Sequence, residues 1–121
     1  MKELAYRYYC EGWGCGQCII KAADEKFSLG LKGELIKAAS AAGNGFGYGG
    51  LCAVPAAVVL IFGYMFDEST FKRLRLQFLD EFSRKYGSFN CCQLAGNCGC
   101  ASLIADAADM AERLISAELN S

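Results

Sequence analysis

Eight cysteines and no histidine set the chemistry open to this 121-residue chain. Without histidine there is no Cys–His nucleophile pair, no imidazole general base and no mixed Cys/His zinc site. Any soft-metal site must therefore be built from thiolates. The cysteines fall in three zones: Cys10, Cys15 and Cys18; Cys52, just after a glycine-rich stretch; and Cys91, Cys92, Cys98 and Cys100. Each zone lies at or near a predicted helix start, where free amides and the helix dipole favour thiolate over thiol. The same amides can donate to metal-bound sulfur. Helix starts converging on one end of a bundle would make a thiolate cage, and Cys15, Cys52, Cys91 and Cys100 are its candidate members.

Local spacing alone says less. Cys15-Gly16-Gln17-Cys18 is a CxxC, but no βαβ pattern surrounds it, so a thioredoxin reading is weak. The Cys10, Cys15, Cys18 spacing also fits a plant-type ferredoxin, whose fold is not helical. Paired CxxC motifs at zinc-ribbon separation are absent. Cys18 sits on the apolar side of its helix, where a buried thiol serves equally as a small core filler. The Gly43–Gly50 stretch lacks the Lys and Ser/Thr of a phosphate loop and follows a helix, so nucleotide binding is poorly supported.

The elements that must position these thiols read as helices. Apolar residues recur at helical spacing from Trp13 to Phe27 and again over Leu31–Ala42, which runs into the Gly43–Gly50 loop. Leu51–Phe66 is apolar on every side, with Pro55 in its first turn, and reads as a buried central helix. Asp67 opens a fourth helix that ends at Gly87, with Phe71, Leu74, Phe78 and Phe82 on one stripe. A short turn over Cys91–Ala95 and a last helix over Cys100–Leu119 complete an all-α, single-domain bundle of four to five helices. Asp106 and Asp109 on that last helix read as a solvated face.

The whole chain, residues 1–121, reads as one domain. Its formal charge of −1 and the absence of a basic block argue against nucleic acid. The Leu51–Phe66 run is shorter than the ~20 apolar residues a membrane span needs. The first residues, Met1-Lys2-Glu3-Leu4, carry no export signal, so the expected compartment is cytoplasmic, where thiols stay reduced.

At the candidate cysteines the sequence resembles the redox-active proteins named for a C_GCAxxG_C_C cysteine signature, over roughly Gly12 to Ile115. The Tyr-Asn-Cys-Ala-Gln-like opening of that family corresponds to Trp13-Gly14-Cys15-Gly16-Gln17. Its Cys-Gly-Ala-x-x-Gly corresponds to Cys52-Ala53-Val54-Pro55-Ala56-Ala57. Its aromatic-Gly-Ser-x-Asn-Cys segment appears as Tyr86-Gly87-Ser88-Phe89-Asn90-Cys91, and its fourth cysteine is Cys100. Ala53 and Ala57 stand where the family has glycine, and would crowd the site if those glycines allow close helix approach. Cys10, Cys18, Cys92 and Cys98 are additions to the quartet, as further ligands or redox thiols.

The resemblance implies a helical fold and cysteine-based redox work. Related cysteine modules accompany haem domains in some redox proteins, which suggests electron transfer through an iron–sulfur centre, [2Fe–2S] or [4Fe–4S], held by Cys15, Cys52, Cys91 and Cys100. On that reading the chain is an electron carrier for a redox partner protein more than a stand-alone enzyme, and a homodimer is open. Two alternatives stand beside it: metal-free thiol–disulfide cycling, through Cys15 and Cys18 or Cys91 and Cys92, and a structural or partner-binding domain stapled by a metal.

Overall fold

Six α-helices make up the fold among the described residues, which in this computed structural model are 1–43, 45–91, 94 and 100–121. They are α1 (Lys2–Cys10), α2 (Cys15–Phe27), α3 (Gly33–Ala38), α4 (Ala53–Met65), α5 (Glu68–Tyr86) and α6 (Cys100–Leu119). No β-strand occurs among those residues; an isolated antiparallel bridge joins Leu51 to Asn90. The all-α reading holds.

α4 is the hub, packing against α2, α5 and α6. Its side toward them buries Val54, Ala57, Val58, Ile61 and Phe62. It is not enclosed all round, however, since Leu60 is 64% and Tyr64 54% exposed. Phe62 meets Phe78 of α5 edge-on at 6.1 Å between ring centroids, and Phe82 stacks on Phe89 at 5.5 Å. This aromatic column runs from the middle of the core to the segment that carries Cys91.

The helix ends follow from side-chain chemistry. Asp67 accepts the Thr70 amide at 3.1 Å and so satisfies a free donor at the start of α5. At the start of α2, Gln17 Oε1 accepts from the Gly14 amide at 3.0 Å. The same buried side chain donates through Nε2 to the Ile36 carbonyl at 3.0 Å, fastening α3 to α2. Two expected boundaries move: the helix predicted over Leu31–Ala42 is α3 followed by a 3₁₀ turn, Ala39–Ala42, and Cys52 caps α4 from just outside it.

α1 had no counterpart in the sequence reading. Its inward face is short, with Ala5 fully buried and Leu4 and Tyr8 partly buried against the core. It nevertheless packs against both α2 and α6. Polar contacts assist: Glu25 of α2 accepts from Arg7 at 2.8 Å and from Tyr8 at 2.9 Å, while Lys21 stands 4.2 Å above the Trp13 ring. The residues Tyr6, Tyr8, Tyr9 and Trp13 thus belong to a packed helix and its exit. Asp106 is also more than a solvated face, because it accepts from the Tyr86 hydroxyl and pairs with Lys85 at 2.8 Å.

Candidate functional site

Cys15 is the first residue of α2, Cys52 caps α4, and Cys100 is the first residue of α6. Cys91 follows Asn90 on the strip bridged to Leu51. Two backbone bonds fix that strip against the entrance to α4. The Cys91 amide donates to the Gly50 carbonyl at 2.6 Å, and the Cys52 amide donates to the Phe89 carbonyl at 2.8 Å. The consequence is that all four candidate thiols line one cavity, closed by Gly45, Ala53, Val54, Leu94 and Leu103.

The cavity is small and its wall is apolar apart from the sulfurs. It holds about 20 Å³, the room of roughly one water molecule. Among the described residues no group of three or more Cys, Asp or Glu is already gathered to hold a single metal ion. Among the neighbouring thiols, Cys100 acts most strongly on Cys15.

Burial governs the acidity of these thiols. It pushes Cys15 up to about 12, helped by the neighbouring Cys100 and Cys52. Cys52 is also raised, first by burial; the Val54 amide at the start of α4 pulls the other way and is outweighed. The lowering expected at a helix start is therefore present but loses to desolvation in an apolar pocket. A cation arriving among these sulfurs would have to displace protons from them.

The other cysteines separate clearly. Cys18 is fully buried in the core, its Sγ donating to the Trp13 carbonyl at 3.6 Å, and it does not line the cavity. Burial raises it to about 11. Cys10 is exposed at the end of α1, beside Tyr6. Cys92 and Cys98 lie outside the described residues.

The expected crowding at Ala53 is resolved from the opposite helix. A Cβ placed on Gly16 would lie 3.3 Å from both the Ala53 Cβ and the Ala53 carbonyl oxygen. The family resemblance puts alanine at position 16 and glycine at 53, and this chain has the two exchanged. One methyl fills the α2–α4 gap in either arrangement. Gly16→Ala should therefore destabilise the protein by about 1–3 kcal/mol through overpacking. Ala53→Gly in the same chain should recover part of that loss, because it removes the Cβ contact and leaves the carbonyl contact, a coupling that chemical denaturation of the four-member cycle would measure. Equal losses from Gly16→Ala with and without Ala53→Gly would disprove the compensation.

Gly45 is the wall residue that sequence reasoning missed. Its signal was present in the glycine run, but only the fold shows that it abuts Cys91.

An all-helical domain thus lines one cavity with four thiols. The chain belongs to the family described as "Putative redox-active protein (C_GCAxxG_C_C)", whose model matches residues 13–114. No curated protein and no solved structure matches it. Among the described residues no helix is long and apolar enough to cross a membrane.

Proposed function

We propose that the protein is an electron carrier that holds an iron–sulfur centre through Cys15, Cys52, Cys91 and Cys100. The observation that supports this reading is the shared cavity: four thiols from separate segments of the chain open onto one apolar space. The donor chemistry fits, since iron–sulfur centres take four thiolates and the chain has no imidazole to offer. When bound, such a centre takes up and gives back an electron at the metal.

The chain's own residues supply the rest. Ala53, Val54, Leu94 and Leu103 give the sulfurs an apolar wall. The start of α4 brings a backbone amide toward Cys52, the kind of contact that tunes a centre's potential. The cavity holds only about one water's volume and its thiols are not gathered around one point among the described residues, so the wall would have to move apart to hold such a centre. The delivery of electrons to a redox partner protein and a cytoplasmic setting belong to the same proposal.

Protein purified without air should be brown and carry iron with an equal count of acid-labile sulfide. A colourless preparation with neither iron nor sulfide after anaerobic reconstitution would sink the cluster assignment.

A further inference from the structure

The Cys15-Gly16-Gln17-Cys18 motif reads locally as a dithiol, yet Cys18 does not line the cavity onto which Cys15 opens. Cys18 is wholly buried, donates to the Trp13 carbonyl at 3.6 Å and takes no part in lining the cavity. Cys100 lines the same cavity as Cys15 and is partly exposed, as Cys15 is. Of the neighbouring thiols, Cys100 acts most strongly on Cys15. Each is the first residue of its helix, and α2 and α6 pack against one another. A bond between them would join two helix starts that open onto the same cavity of about 20 Å³.

We propose that Cys15 and Cys100 form a reversible inter-helix disulfide, with a low-molecular-weight disulfide as the oxidant. One thiolate of the pair attacks a sulfur of that oxidant, forming a mixed disulfide and releasing one small thiolate. The second protein thiolate then attacks the protein sulfur of the mixed disulfide and releases the other small thiolate. Two protein thiols are oxidised and one small disulfide is reduced to two small thiols, which take up the two protons that the protein thiols give up. The bond removes two of the four thiols from the cavity, so the oxidised state and a metal-loaded state exclude one another. That exclusion rests on the cluster assignment above; the disulfide itself does not.

The test treats chelated, metal-free protein with oxidised glutathione without air, then alkylates and digests it with trypsin. The expected product joins residues 8–21, which carry Cys10, Cys15 and Cys18, to residues 86–113, which carry Cys91, Cys92, Cys98 and Cys100. Fragmentation should assign the bond to Cys15 and Cys100, and reductant should reverse it. Cys15→Ser and Cys100→Ser should each abolish the joined peptide, whereas Cys18→Ala should leave it. A urea-unfolded control should instead scatter its bonds among the thiols. A disulfide within residues 8–21, a joined peptide that survives Cys100→Ser, or a scatter no different from the unfolded control would overturn the proposal. Iron and sulfide counts on anaerobically reconstituted protein separate the two ideas: a joined peptide with no iron leaves the disulfide standing and removes the cluster, and iron without the joined peptide does the reverse.

Discussion

Gly45→Ala should cost the protein about 3 kcal/mol or more and open the wall of the cavity. Two effects add. Gly45 has φ +61°, a left-handed conformation that costs an L-residue roughly 1–2 kcal/mol. Its missing side chain is also occupied space, because a Cβ there would lie 2.5 Å from the Gly50 nitrogen, 2.7 Å from the Cys91 Cβ and 2.9 Å from the Gly50 oxygen. Gly50 is the residue whose carbonyl holds the Cys91 amide, so relief of the clash pushes on the strip that carries a cavity thiol. Gly47→Ala is the matched control, with φ +84° and nothing within 4 Å of its added Cβ. It should show the backbone cost alone, on the order of 1 kcal/mol. Urea unfolding of both variants makes the comparison. If Gly45→Ala is no more damaging than Gly47→Ala, the close approach of Gly45 to Cys91 is not what shapes the cavity.

On the proposed cluster assignment, replacing a cavity thiol should have the largest effect on metal loading. Cys52→Ser keeps the helix cap nearly isosteric but substitutes a hard hydroxyl for a soft thiolate, and iron content after anaerobic reconstitution should fall roughly tenfold or more. Cys18→Ala should retain iron, because Cys18 points into the core and away from the cavity. Iron retained in Cys52→Ser but lost in Cys18→Ala would mean that the ligand set is wrong. Loading should also weaken as pH falls. Each ligand thiol must lose its proton to the metal, and burial has already moved Cys15 and Cys52 above the ordinary thiol range. Titrating iron uptake against pH reads this directly, and uptake independent of pH would argue against buried thiols as the ligands.

Local chemistry made much of the fold legible in advance. The stripe of Phe71, Leu74, Phe78 and Phe82, the Asp67 cap and the Gly87 stop define α5 with no help from the rest of the chain. The same logic located α2, α4 and α6, because helical periodicity and capping act over a few residues. α1 escaped because its stability is not local: Ala5 gains its burial from α2 and α6, and Arg7 and Tyr8 gain their partner from Glu25.

The sequence by itself determined which donors exist, thiols without imidazole, and that several stand at helix starts. Only the tertiary structure decided which of them meet. Cys15 and Cys18 are three residues apart, yet one turn of helix carries Cys18 into the core while Cys15 faces Cys100 from the far end of the chain. Helical geometry fixes the direction of each thiol relative to its own axis, but the neighbour it finds depends on how α2, α4 and α6 pack. The acidity of the thiols was decided the same way. A helix start favours thiolate locally, and desolvation by the assembled apolar wall overrules it. The exchange of Gly16 and Ala53 is legible in the sequence as two separate departures from a signature; the fold sets the two positions against each other.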